Sequence, residues 1–340
     1  MPWNYGGPGK LAIARPETRC WPITKPIPRI SRPWPNMCTR QWSRGMGSHT
    51  LVRCPRKQRH HAMKWIGTGL SDIGRVRHIN QDAYAVDNEH QLWIVADGMG
   101  GHVGGEIASR LAVDSLLQTV KSRAREWDRV PSTHEGARLL VEAVEMANQA
   151  VRAYAIEHPA YYGMGTTIAV LKMFDQLPGE AVIAHAGDSR IYRVRDRDLK
   201  TLTRDHSLVQ DQIDLGLLRP EEAEHHPLRH ILTKALGIEP RVQPAVQPID
   251  VQPTDRFLLC TDGLTKMLGD LDIAKIIETT DAKGEALCRA LINEANARGG
   301  EDNVTIVVIE PLDHKELIEA STSEGRGGTR PGVQNSPPHP

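Results

Sequence analysis

Three stretches of the chain carry an aspartate at the edge of an apolar, strand-like run. They are Leu92-Trp93-Ile94-Val95-Ala96-Asp97-Gly98, Phe257-Leu258-Leu259-Cys260-Thr261-Asp262-Gly263 and Asp302-Asn303-Val304-Thr305-Ile306-Val307-Val308. A carboxylate at the end of a buried strand loses hydration that apolar neighbours cannot replace. One such acid is simply a turn, because Asp-Gly is a common hairpin pair. Several together call for positive charge between them, and hard cations such as Mg²⁺ or Mn²⁺ select oxygen ligands. Asp302 precedes its strand whereas Asp97 and Asp262 follow theirs. An antiparallel neighbour therefore places Asp302 at the same end of a sheet as the others.

Strand signals cover Ala83–Asp87, Gln91–Ala96, Thr166–Met173, Ala181–Ala186, Arg190–Arg195, Arg256–Cys260 and Val304–Ile309. Polar turns between 86 and 91 and between 195 and 199 make hairpins. Apolar residues at helical spacing (Leu140, Val144, Ala147, Val151, Tyr154) predict a helix over 134–157. Gly284–Ala297 predicts a second, stopped by Gly299-Gly300, and a third is expected from after Gly105 to about Val120. Strands arriving in hairpins favour an α+β sandwich of antiparallel sheets over a doubly wound parallel sheet.

Residues 1–62 hold twelve Lys/Arg against the single acid Glu17, a net charge of +11 that leaves −11 for the remainder. With nine Pro, four Trp and no apolar periodicity, this segment cannot bury a core and is expected to be disordered. It reads either as an upstream-start artefact, with the natural start at Met63, or as a basic arm for an anionic polymer or lipid. The artefact reading is preferred, and nucleic-acid binding is not expected. The Gly, Ser and Pro of 321–340 indicate a loose tail within 313–340. No run reaches the roughly 20 apolar residues of a membrane span. Five unpaired cysteines (Cys20, Cys38, Cys54, Cys260, Cys288) argue for a reducing cytoplasm and against structural zinc.

More chemistry-bearing residues lie between these runs. Asp188 sits in Gly187-Asp188-Ser189-Arg190, and Arg77 stands five residues before Asp82 in Arg77-His78-Ile79-Asn80-Gln81-Asp82. An arginine fork matches the oxygens of a phosphate. Together with Ala96-Asp97-Gly98-Met99-Gly100-Gly101, Gly163-Met164-Gly165-Thr166-Thr167, Thr203-x-Asp205-His206-Ser207, Thr261-Asp262-Gly263 and Asp302-Asn303, these motifs resemble the bacterial branch of the metal-dependent serine/threonine protein phosphatases, type 2C. They stand in that family's order and span nearly all of 70–310.

The resemblance implies an αββα four-layer sandwich, a catalytic domain over 63–312, and a metal centre between the sheets at one end. Asp97 would bridge two Mn²⁺ or Mg²⁺ ions, with the Gly98 carbonyl on the second and Asp262 and Asp302 completing the first. Asp188 with Asp262 would hold a third, looser ion; Arg77 would grip the substrate phosphate; Gln81 and Asp82 would orient water. Two cations about 3.5–4 Å apart acidify a bridging water, and the resulting hydroxide attacks phosphorus in line. The implied reaction is hydrolysis of phosphoserine and phosphothreonine by a cytoplasmic monomer that opposes a bacterial Ser/Thr kinase.

Two positions depart from relatives. Gln81 stands where some have Glu, so it orients water and cannot act as a base. Met99 stands where eukaryotic relatives have a histidine, and His102 nearby reads as an ordinary loop residue. Segment 205–236 corresponds to a flap beside the site, expected to influence protein-substrate choice, with His225, His226 and His230 facing solvent.

Competing chemistries fit poorly. A cysteine phosphatase needs Cys-x5-Arg, but Cys260 is followed at that spacing by Lys266 and Cys54 by His60. Asp196-Arg197-Asp198 imitates an Asp-x-Asp nucleophile motif but lies in a polar turn. A metal-free scaffold protein would be signalled by loss of a core acid, and Asp97, Asp262 and Asp302 are all present.

Overall fold

Apolar residues on successive positions of the strands point to opposite faces, and here both faces are covered. The computed structural model describes residues 64–312 apart from 100, 224, 225 and 281, and without the side chains of 101–103. The basic segment 1–62, the tail 313–340, Cys20, Cys38, Cys54, His225 and the His102 side chain thus lie outside the described residues. In chain order the elements are β1 (Trp65–Asp72), β2 (Asp82–Asp87), β3 (Leu92–Met99), α1 (Gly101–Ser122), α2 (Ala124–Trp127), α3 (Thr133–Glu157), β4 (Gly165–Thr166), β5 (Ile168–Met173), β6 (Glu180–Ala186), β7 (Arg190–Arg195), β8 (Asp198–Thr201), α4 (Leu208–Asp214), α5 (Pro220–Ala223), β9 (Ala245–Asp250), β10 (Arg256–Cys260), α6 (Asp262–Thr265), α7 (Asp270–Thr279), α8 (Gly284–Ala297) and β11 (Val304–Pro311).

One sheet has the order β1-β11-β10-β7-β8 and the other β2-β3-β5-β6-β9, with β4 paired to the end of β3. All pairings are antiparallel. Trp93, Val95, Leu171 and Ile183 of one sheet meet Ile191, Phe257, Leu259 and Val307 of the other in the central layer. The alternate residues face outward: Ile94, Val170 and Val182 pack beneath α1 and α3, while Leu258, Ile306 and Val308 pack beneath α7 and α8. This is the expected αββα arrangement, and it explains why strands in antiparallel sheets read as continuous apolar runs rather than alternating ones.

The strands invisible in the sequence pattern are β1, β8 and β9, and each is an edge strand. β9 carries Pro248, β8 has the charged Asp198 and Lys200 among its four residues, and β1 contains Gly67. Edge positions tolerate such residues because one side needs no partner. Gly67 is there because a Cβ would stand 2.0 Å from Nε1 of Trp93. The expected turn at Asp196-Arg197 is present, with φ values of 50° and 67°, closing β7 onto β8.

Helix α1 starts earlier than expected, at Gly101. Gly104 and Gly105 do not stop the helix; they let it approach β3 and the Met164 segment closely. The helix α7 was not anticipated, whereas Gly284–Ala297 and the long helix ending at Glu157 appear as expected.

Trp93 is fully buried at the centre of the sandwich, and its indole donates to Asn88 Oδ1 at 2.9 Å. Trp93→Ala is expected to cost about 3–5 kcal/mol in urea unfolding. A loss under about 1 kcal/mol would mean that the central layer does not depend on this side chain.

Candidate metal centre

The register brings the acids to one end of the sandwich. Asp82, opening β2, pairs directly with Asp97 near the end of β3. In the facing sheet, β10 runs into Asp262 while β11 starts just after Asp302, and their antiparallel pairing puts both acids at the same end. Asp188 occupies the short turn between β6 and β7. Thr261 joins the two sheets here: its hydroxyl donates to Asp82 Oδ2 at 2.8 Å and accepts from the Thr305 N–H at 3.0 Å.

The backbone of Asp97 is fixed from below. Its N–H donates to Thr167 Oγ1 at 2.9 Å, and its carbonyl accepts from Thr166 Oγ1 and the Thr167 N–H, each at 2.8 Å. Thr167 and Ser189 hydroxyls lie 2.7 Å apart, linking this support to the loop that carries Asp188. Gly98 has no room for a side chain, since a Cβ would meet Gly105 O at 2.0 Å and Gln81 O at 2.6 Å. The Gln81 carbonyl accepts from the Gly98 N–H (3.1 Å) and the Ser109 hydroxyl (2.6 Å). The Gln81 N–H donates to Asn303 Oδ1 at 2.8 Å.

Asn303 has a wider part than its place beside Asp302 suggests. Its amide donates to the carbonyls of Ile73 and Ile79, at 2.9 and 3.0 Å, and so shapes the loop carrying Arg77. The Arg77 fork lies on Asp302, with Nε 2.9 Å from Oδ1 and Nη2 2.9 Å from Oδ2. Lys266 reaches the same acid: Nζ donates to Asp302 Oδ2 at 2.8 Å and lies 2.5 Å from Asp262 Oδ2. Thr261 and Asn303 stand in the motifs Thr261-Asp262-Gly263 and Asp302-Asn303 without a role read from the sequence, and Lys266 has no sequence signal beyond standing four residues after Asp262.

Electrostatics divides the cluster. Loss of water pushes the Asp82 and Asp188 carboxyls each up to about 7, with Asp262 adding repulsion to both; hydrogen bonds from Thr305 and Thr261 partly oppose this at Asp82. Asp97 is held well above the ordinary carboxylate range by burial and then by Asp262, Asp82 and Asp188. Burial also opposes ionisation of Asp302, but Lys266 and Arg77 outweigh it and hold this carboxyl low. Asp82 Oδ1 and Asp262 Oδ1 are buried without a hydrogen-bond partner in the protein. An orphaned buried carboxylate oxygen is costly unless a cation or proton meets it. Among the described residues no three Asp, Glu, His or Cys side chains already close on one point as a ligand set. The donor chemistry nevertheless fits hard divalent cations: all-oxygen, anionic, with unsatisfied oxygens and the side-chain-free approach at Gly98.

Around the centre, Met99 closes β3 opposite Gly165 and offers no proton. The flap is tied at its base by a bridge between Ser207 and Leu232 and by His206, which stacks on His185 with centroids 4.5 Å apart. His230 is exposed, as expected, yet the charges of Lys266, Asp262 and Asp302 reach it. His226 is half-buried, contrary to the solvent-facing expectation, because its Nδ1 accepts the Leu228 N–H at 3.2 Å and closes the local turn.

Comparison with known proteins gives a consistent result. Residues 73–296 match the family model described as Protein phosphatase 2C. A serine/threonine phosphatase Stp of Listeria welshimeri is 36% identical over 244 residues, covering 71% of this chain and 93% of its own. The crystal structure of the PPM Ser-Thr phosphatase MsPP from Mycobacterium smegmatis, in complex with cacodylate, aligns with a TM-score of 0.62 at 35% identity. It covers 72% of this chain and 98% of that one. The catalytic domain of serine threonine protein phosphatase PstP, in complex with 2 manganese ions, aligns with a TM-score of 0.63 at 32% identity, covering 74% and 100%.

The raised carboxyls set a pH dependence for the chelated protein. Folded Asp82 and Asp188 keep protons up to about pH 7, whereas unfolded aspartate loses them near 3.8. The folded state therefore binds more protons in that window, and stability falls as the pH rises from about 4 to about 7. In EDTA, the melting temperature is expected to drop between pH 5 and pH 7.5, and the slope to flatten in Asp82→Asn and Asp188→Asn. A wild-type melting temperature rising across this interval would contradict the assignment.

Proposed function

The chain belongs to the protein phosphatase 2C family, and from that membership we propose how its own residues carry the reaction. It is a protein-serine/threonine phosphatase of the metal-dependent type, acting on phosphoproteins. No helix among the described residues is long and apolar enough to cross a membrane. The finer reading is a cytoplasmic monomer that opposes a bacterial Ser/Thr kinase, with residues 63–312 as its catalytic domain.

In this reading Asp97, Asp262, Asp302 and the Gly98 carbonyl would hold two Mn²⁺ or Mg²⁺ ions, and Asp188 with Asp262 would hold a third. Bound cations supply Lewis acidity, lowering the pKa of an attacking water and offsetting charge on the phosphoryl oxygens. The observation that supports this best is the meeting of Asp82, Asp97, Asp188, Asp262 and Asp302 at one end of the sandwich, with buried carboxylate oxygens unpartnered.

The protein's own groups then have separable tasks. Arg77, half-exposed on the β1–β2 loop, turns its fork from Asp302 to the substrate phosphate, whose oxygens offer the same bidentate geometry. Asp82, steadied through Oδ2 by Thr261, presents Oδ1 to water. Gln81 orients water through its amide. Met99 cannot protonate the leaving group, so that proton comes from water.

Turnover of p-nitrophenyl phosphate and of a phosphothreonine peptide is expected to require Mn²⁺ or Mg²⁺ and to stop in EDTA. Asp97→Asn should lower kcat/KM by about a hundredfold or more, in the range seen when an electrostatic stabiliser is removed. Activity that survived both EDTA and Asp97→Asn would refute the metal-centred reading. Arg77→Ala is expected mainly to raise KM for the phosphopeptide; an unchanged KM and kcat would remove Arg77 from the site.

A further inference from the structure

Asp302 is satisfied entirely by this chain. Its two oxygens accept from Arg77, Lys266 and the Asn303 N–H, the last at 2.9 Å. Lys266 is placed by the shortest of local structures. It follows Asp262 by one helical turn, and its N–H donates to the Asp262 carbonyl at 2.8 Å, which lays its side chain over the Asp262 carboxylate. The Lys266 ammonium thus stands between Asp262 at the end of β10 and Asp302 at the start of β11.

We propose that Lys266 is a tethered cation that occupies the space between Asp262 and Asp302 and must withdraw before a divalent metal loads there, so that it sets the affinity of the first metal position. The inference rests on the assignment of those two acids as ligands in the preceding section. Three features support it. The ammonium contacts the same carboxylates that the metal would use, so the two compete directly. The side chain is partly exposed and has a flexible four-carbon stem, so it can move to water without disturbing the fold. The Lys266 ammonium lies within 2.5 Å of Asp262 Oδ2 and 2.8 Å of Asp302 Oδ2, so it neutralises both acids at once. Loading is then an exchange, and the apparent dissociation constant is the intrinsic one divided by the fraction of molecules with Lys266 withdrawn.

A purely structural ion pair makes the opposite prediction. If Lys266 only braced Asp262 and Asp302 for the metal, its removal would loosen the ligands and weaken binding.

The test is isothermal titration calorimetry of the chelated, then dialysed full chain with Mn²⁺ alone, beside melting temperatures with and without Mn²⁺. Lys266→Gln is expected to bind Mn²⁺ at least about tenfold more tightly than the wild type. Its metal-free form should melt lower than the wild type, and Mn²⁺ should raise its melting temperature by more. Lys266→Met is a second variant of similar length should the first not fold, and Lys266→Arg, which retains a cation, should not tighten binding. Equal or weaker Mn²⁺ binding by Lys266→Gln or Lys266→Met would overturn the exchange while leaving the metal-centred function intact. Absence of Mn²⁺ binding in wild type and variants alike would overturn both.

Discussion

Repulsion among carboxylates at one end of the sandwich is the constraint around which the rest is arranged. Two unit charges about 4 Å apart repel by about 4 kcal/mol at the effective dielectric of a protein surface. A domain of this size has a net stability of roughly 5–15 kcal/mol, so it cannot leave several such charges facing one another. The chain concentrates them nonetheless, through strand register: Asp82 against Asp97, and Asp262 beside Asp302. Register is a rigid device, because a one-residue slip would exchange the two faces of a strand and turn central residues such as Trp93 and Leu171 toward the helices. The acids are held together by the burial of Trp93, Leu171, Phe257 and Val307, far from their own charges.

A second layer of control comes from short polar bonds that cross between elements at that same end. Thr261 ties Asp82 to the opposite sheet, Asn303 ties the Arg77 loop to the start of β11, and the Gln81 carbonyl ties Gly98 to α1 through Ser109. Each bond is worth only about 1 kcal/mol. Their effect is positional: they fix where carboxylates and carbonyls point while leaving specific oxygens, Asp82 Oδ1 and Asp262 Oδ1, without a partner.

The layered antiparallel fold was legible because strands covered on both sides must be apolar throughout, and Leu92–Ala96, Phe257–Cys260 and Val304–Ile309 are. The acids were legible because each breaks such a run. Edge strands β1, β8 and β9 were not, since an edge accepts Gly67, Pro248 and the charges of β8 without penalty. Helix α1 was misplaced at its start because glycine signals two different things, a stop or a close approach, and only the packing of Gly105 against Gly98 distinguishes them. Lys266 was read only as failing to be the arginine of a cysteine phosphatase. Its contact with Asp302 joins positions 36 residues apart, and no local pattern encodes that.

The metal-free cluster solves its charge problem in two ways at once. On one side, Asp302 stays ionised because Lys266 and Arg77 neutralise it. On the other, burial and then the neighbouring carboxylates push Asp82, Asp97 and Asp188 toward the protonated form, and Lys266 only partly opposes this at Asp188. A divalent cation held by these acids would serve both sides, since it concentrates two charges in one ion. Under the proposed ligand assignment its binding would displace an ammonium from the first side and protons from the second, so metal affinity would rise with pH through the same interval in which the chelated fold weakens. The fall in stability predicted for the chelated protein toward neutral pH and the affinity proposed for metal would have a single origin, the acids gathered at the strand ends.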